Sequence, residues 1–318
     1  MKTFSMQHRA RLVAVMVLFA CDTQPSATLL APSVSAFANS EWSAPMNLGP
    51  EINSPFIDNN PTLSSDELTM YFASDRPGGL GLVDIWVTRR ASVDSPWETP
   101  INLGAPVNSP FIDGAPALSS DGHLLFFHSN RTGTAGGNDI WLARRSGSTD
   151  DDDWDVPIAL GPGVNTADDE QGPDYTVSAG GGAVYFNRGN QALARSDLYY
   201  AEVGRDGRTE APAVAITELN DPAFNDAAPT VRTDGKEILF WSGRAGGGVT
   251  ADMWVSTRQN PHESWLPPQN LGMPINSPVN DLHPELSHDS RTLYFSTNRP
   301  GGSGGQDLWM STRTPRGN

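Results

Sequence analysis

Four tryptophans open near-identical phrases: "WSAPMNLG" at Trp42, "WETPINLG" at Trp97, "WDVPIALG" at Trp154 and "WLPPQNLG" at Trp265. The first three stand 55 and 57 residues apart, and the last gap of 111 is two such steps. A Trp-less copy therefore falls at "APAVAITELN", residues 211–220. Two further series keep the same step. One reads "LTMYFASDR", "HLLFFHSNR", "GAVYFNR", "KEILFWSGR" and "RTLYFSTNR"; the other reads "DIWVTRR", "DIWLARR", "DLYYAEV", "DMWVSTR" and "DLWMSTR". With a Pro-bearing series typified by "NPTLSSD", each unit offers four short strands. A fixed period of this length predicts an all-β fold, a five-bladed β-propeller of four-stranded blades over residues 41–318. The second strand of each unit is apolar on both faces, as a strand clamped between neighbouring sheets must be. The last unit stops after its third strand. Residues 42–48 are therefore expected to supply its outer strand and close the ring, which removes the free sheet edges.

The 31 Gly and 26 Pro of the 318 residues fit this reading, because both interrupt helices and suit turns. A net charge of −16 argues against a nucleic-acid partner, since phosphate binding needs clustered Lys and Arg. The N-terminus differs from the rest. Lys2, Arg9 and Arg11 precede an apolar run, Leu12 to Ala20, too short to span a bilayer and suited to a signal-peptide core. It ends "LFAC", which resembles a bacterial lipobox, so residues 1–21 are expected to be removed as a signal, with Cys21 lipidated. An ordinary signal cut after Ala36-Phe37-Ala38 is the alternative. Residues 22–40, rich in Ser, Ala and Pro, read as a flexible tether. As the lone cysteine, Cys21 excludes internal disulfides and a Cys-based zinc site.

The phrases "LSSDG", "LFFHSNR" and "GGNDIW" resemble the WD40-like repeat of bacterial TolB-type propellers, across essentially residues 42–312. The resemblance implies the propeller and a cell-envelope location. It does not imply the TolB role itself, because the 22–40 segment is too short to be the separate N-terminal domain of that family.

Residues present in every unit are expected to build the blade. Arg76, Arg131, Arg188, Arg244 and Arg299 end the second strand, and Asp84, Asp139, Asp197, Asp252 and Asp307 begin the third. A Gly-rich hairpin joins them, so each Arg is expected to pair with its following Asp or with loop carbonyls. Eight of the nine Trp recur and read as packing. An acid also recurs three residues before the Pro of each inner strand: Asp58, Asp113, Glu170, Asp226 and Asp281. Two readings fit. Five acids could ring the channel mouth and hold a Ca²⁺-like cation, because neighbours ~6 Å apart at an effective dielectric of about 20 would repel by roughly 3 kcal/mol. Alternatively, each acid caps its own turn, a reading that the accompanying Asn53, Asn108, Asn165, Asn220 and Asn276 also suit.

Where the repeat breaks, specific chemistry is expected. Unit three carries Asp174 after its inner Pro; unit five carries His283 before its Pro and Glu285 after it. Trp241 of unit four is the tryptophan outside the recurring positions. Two functions follow. One is an exported binding or scaffold module that presents a face to a protein or glycan partner at the cell envelope, with Trp241 and His283 as ligand contacts. The alternative is a five-bladed glycoside hydrolase drawing two carboxylates of different role from Glu170, Asp174 and Glu285.

Overall fold

The structure, a computed structural model, describes residues 41–147, 152–178, 181–190, 195–209, 211–244 and 250–314. The signal, Cys21 and tether expectations lie outside these residues. Five four-stranded antiparallel sheets form the ring. Blade one runs outward as β2 (Asp58–Leu63), β3 (Thr69–Ser74), β4 (Asp84–Arg89) and β5 (Ile101–Asn102). Blade two is β6 (Asp113–Leu118), β7 (Leu124–Ser129), β8 (Asp139–Arg144) and β9 (Ile158–Ala159). Blade three is β10 (Asp169–Ser178), β11 (Gly181–Asn190), β12 (Arg195–Glu202) and β13 (Val214–Ala215). Blade four is β14 (Asp226–Val231), β15 (Glu237–Ser242), β16 (Asp252–Thr257) and β17 (Gln269–Asn270). Blade five is β18 (Asp281–Leu286), β19 (Thr292–Thr297) and β20 (Asp307–Thr312), completed by β1 (Met46–Asn47). The predicted closure is thus present: Met46 pairs with Met310 and Asn47 with Trp309.

Alternation along the second strand explains the absence of one central core. Met70 and Phe72 face Tyr294 and Leu308 of blade five, while Tyr71 faces Leu125 and Phe127 of blade two. Side chains two apart share a face, so each blade donates apolar surface to both neighbours, and the core lies between blades.

The leading loops join each blade to the one before. Asn108 accepts the Ile85 N–H at 2.9 Å and donates to the Ile85 carbonyl at 2.9 Å. Asn165 makes the same clasp on Ile140, Asn220 on Leu198 and Asn276 on Met253. Asn53 clasps Leu308 and so closes the ring a second time.

Each inner strand carries a register shift beside its Pro. The residue before the Pro has positive φ in all five blades: Asn60 at 50°, Ala115 at 47°, Gly172 at 56°, Ala228 at 47° and His283 at 52°. A bulge turns its side chains without ending the strand, and Pro is tolerated there because no ladder donor is needed. This repeated bulge, strained for the four non-glycine residues, lines the channel.

Candidate functional site

The five recurring acids do not meet at the mouth. Each lies within its own blade with its side chain fully buried, against the Arg 18 residues later. Arg76 reaches Asp58 at 2.5 Å, Arg131 reaches Asp113 at 2.5 Å, Arg188 reaches Glu170 at 2.7 Å and Arg299 reaches Asp281 at 2.7 Å; Arg244 pairs likewise with Asp226. The other oxygen caps the turn: Asp58 accepts Ser54 N–H at 2.6 Å, and Asp113 accepts Ser109 N–H at 2.6 Å. Burial raises the pKa of Glu170, opposed by hydrogen bonds from Thr166 and Arg188. The charge of each acid is thus met by a guanidinium inside the blade. Among the described residues no group of three or more potential metal-ligating side chains occurs. Asp58, Asp113, Glu170, Asp226 and Asp281 thus form five separate pairs with arginine inside their blades, in place of the shared cation site expected of them.

The expected Arg–Asp pairs need the same correction. Asp84 accepts the Leu80 N–H at 2.5 Å and the Asn102 side chain at 3.3 Å, and Asp139 accepts the Ala135 N–H at 2.7 Å. Asp307 accepts the Ser303 N–H, Asp252 takes the Asn270 amide at 3.0 Å, and Asp197 meets Arg195 at 3.2 Å. Hairpin N–H groups thus meet Asp84, Asp139 and Asp307, side chains meet Asp252 and Asp197, and each Arg reaches back across the inner strand instead. The loop-carbonyl alternative is present as well: Arg76 donates to Ile52 O at 2.6 Å and Arg188 to Val164 O at 2.7 Å.

The residues that break the repeat do converge, in two layers of the channel. The outer layer is a cavity of 320 Å³ where the inner strands begin, lined among others by Trp241, His128, His283, Asp169, Gln171, Asn187 and Arg195. Trp241, His128 and Asn187 occupy equivalent positions on three second strands, paired across to Ala227, Gly114 and Gln171. The partner of His128 must be small. A Cβ on Gly114 would stand 3.0 Å from His128 Nε2. His283 Nδ1 lies 2.7 Å from Ser296 Oγ. Burial pushes His128 down to about 4, and burial with the nearby His128 pushes His283 down to about 3. Both imidazoles are neutral near pH 7 and offer one donor and one acceptor each. Among the described residues the mouth is thus a wall of amides and neutral imidazoles, with one half-buried indole, one carboxylate and one guanidinium.

Beneath the bulges lies the second layer, a cavity of 30 Å³ bordered by Asp174 and Glu285. Glu285 accepts Thr62 Oγ1 at 3.1 Å and Thr230 Oγ1 at 3.2 Å, and Asp174 accepts the Val231 N–H at 2.7 Å. Burial pushes Glu285 up to about 8, with the Asp174 charge adding to it, and burial pushes Asp174 up to about 7. The two carboxyls titrate as a pair. Glu170, the third expected carboxylate, is committed to Arg188 in the blade.

These shifts set a pH dependence. The carboxyls keep protons to about pH 7–8 when folded but only to about 4 when unfolded, so their contribution to stability declines as pH rises toward 8. The buried histidines act oppositely, and their contribution is lost as pH falls below about 6.5. Between pH 6.5 and 8 only the acid effect operates. Urea unfolding should therefore weaken by about 1.4 kcal/mol per pH unit for each retained proton. Glu285→Gln should flatten that slope; an unchanged slope would contradict the assignment.

One recurring pair escaped the sequence reading. Arg90, Arg145, Arg258 and Arg313 stack on Trp97, Trp154, Trp265 and Trp42, with guanidinium carbons 4.0–4.7 Å from the ring centroids. The signal was available, because blade three has Val203 at this Arg position and lacks the Trp as well.

No family model and no curated protein matches the chain. Among solved structures it is similar to a thermostable family-43 glycoside hydrolase, at 14% identity and a TM-score of 0.58, over 86% of this chain and 100% of that one. It is similar also to an α-L-arabinofuranosidase from Lactobacillus brevis, at 14% identity and 0.55, over 83% of this chain and 92% of that one. TolB from Acinetobacter baumannii aligns at 14% identity and 0.48, over 80% of this chain and 55% of that one; at that score the likeness carries no argument. What the stronger likenesses share with this chain is the fold.

Proposed function

We propose that the channel mouth binds a saccharide, and that the chain is a non-catalytic glycan-binding propeller of the bacterial cell envelope, anchored through Cys21. The observation that carries this reading is the 320 Å³ mouth cavity, whose wall sets Trp241 beside side-chain amides and two neutral histidines. Its size is at the lower end of small-molecule sites, about 300–1,000 Å³. An indole face takes the apolar face of a sugar ring, while amides and imidazoles match its hydroxyls with both donors and acceptors. The chain enters the ring at Trp42, which bridges Arg313 at the end of the blades opposite the mouth. The test is a glycan array probed with wild-type protein and Trp241→Ala. Binding should weaken about tenfold to a hundredfold on loss of the indole; equal binding by the variant, or no glycan bound by either protein, would overturn the reading.

A hydrolase reading has one observation in its favour, namely two carboxyls in the channel held at raised pKa values, as an acid catalyst requires. Glycoside hydrolases are also among the solved propellers with this fold. Against it, both carboxyls are half-buried beside cavities of only 30 and 70 Å³, and among the described residues the mouth contributes one carboxylate, Asp169. Release of reducing sugar by wild type and not by Glu285→Gln would decide for the hydrolase.

A further inference from the structure

The faces between blades one and two and between blades three and four share a Tyr–Arg–Trp frame and carry opposite charge at one register position. In the first, Arg89 Nη2 sits on both oxygens of Asp152 at 2.7 Å, and Tyr71 Oη donates to the same carboxylate at 3.2 Å. Arg145 lies over Trp154 at 4.4 Å and within 3.4 Å of Tyr71 Oη. The second face repeats this frame: Arg258 lies over Trp265 at 4.0 Å and donates to Tyr185 Oη at 3.1 Å. Glu263 stands two residues before Trp265, as Asp152 stands before Trp154. At the register position of Arg89, however, the chain has Glu202: Ala183 pairs with Glu202 as Thr69 pairs with Arg89.

The second face holds a groove of 460 Å³ bordered by Glu202, Glu218, Glu263, Tyr200 and Trp265. Among the described residues none of these three acids has an Arg or Lys partner. Arg258, the cation in the groove, is buried and spent on the Gly235 carbonyl, Tyr185 and the Trp265 face. Two carboxylates at the Arg89 and Asp152 positions cannot form that bridge with each other, whereas a cation between them can take both as partners. A planar guanidinium suits the place better than an ammonium, because it binds carboxylates bidentately and stacks on aromatic rings.

We propose that the groove between blades three and four docks an arginine side chain of a partner protein, which takes in trans the place that Arg89 fills within blades one and two. The surface is separate from the mouth, so the proposal stands or falls independently of the saccharide reading.

Calorimetric titration of the full chain with three short peptides tests it: one bearing arginine, one with citrulline in its place and one with lysine. The arginine peptide should bind saturably, and the citrulline and lysine peptides about tenfold or more weaker. Glu202→Arg should supply the guanidinium in cis, abolish peptide binding and raise the melting temperature, since it rebuilds the pair seen between Arg89 and Asp152. Absence of saturable binding of the arginine peptide overturns the proposal. So does equal affinity for the citrulline or lysine peptide, and so does binding that persists in Glu202→Arg, which would mark unspecific attraction to an acidic surface.

Discussion

Deletion of residues 41–50 is expected to abolish the cooperative unfolding transition, a loss beyond the roughly 4–5 kcal/mol that point substitutions seldom exceed. The segment does more than add the two paired residues of β1. Trp42 stacks on Arg313 at 4.7 Å, the Ser43 N–H donates to Thr312 O at 2.8 Å, and the Leu48 N–H donates to Leu308 O at 3.0 Å. Asn47 Oδ1 also orients Asn53, at 3.0 Å, and Asn53 is the side chain that clasps blade one to blade five. Without the segment β20 becomes a bare edge and the junction between the first and last blades loosens. Circular dichroism melts should then be broad and shallow. A truncated chain melting at the wild-type midpoint would show that the ring does not depend on this strand.

Arg131→Met is expected to lower the unfolding free energy by about 3–5 kcal/mol, the usual effect of stranding a buried charge. Asp113 is fully buried, and its second oxygen is already engaged by Ser109, so no alternative counter-ion replaces the guanidinium. The double variant Arg131→Met with Asp113→Asn should recover much of the loss, because the charge and its partner leave together. A single variant as stable as wild type in urea would mean that the pair contributes nothing to the blade. The same result is expected at Arg76, Arg244 and Arg299, where the geometry repeats.

These two predictions draw on different amounts of sequence information. Ring closure was legible because the last unit lacks a fourth strand and residues 42–48 lack a blade. The Arg–acid pairing was legible in principle and read wrongly. Both Asp58 and Asp84 recur with Arg76, and proximity along the chain favoured Asp84. What decides is local backbone chemistry: the hairpin between β3 and β4 presents N–H groups to Asp84, so that acid needs no cation. The constant separation of 18 residues between Asp58 and Arg76, and in every other blade, was the clue that the side chains meet.

The channel was partly readable. Trp241, His283, Asp174 and Glu285 each depart from their repeat equivalents, and the structure brings all four to the channel, in the mouth or just beneath it. Their division into two layers was not readable, because it follows from the positive-φ bulge before each Pro, which a pre-proline residue does not ordinarily adopt. His128 was passed over for a related reason. Its register partner Gly114 reveals its place only once the strands are paired.

The central claim is that the residues breaking the five-fold repeat bind a saccharide at the mouth. Oxidative footprinting of the tryptophans, read by mass spectrometry with and without the best glycan from the array, tests it most directly. The account predicts that Trp241 is protected by the glycan while the eight recurring tryptophans, set in the blades, are unchanged. A glycan that binds and leaves Trp241 as reactive as before would contradict it.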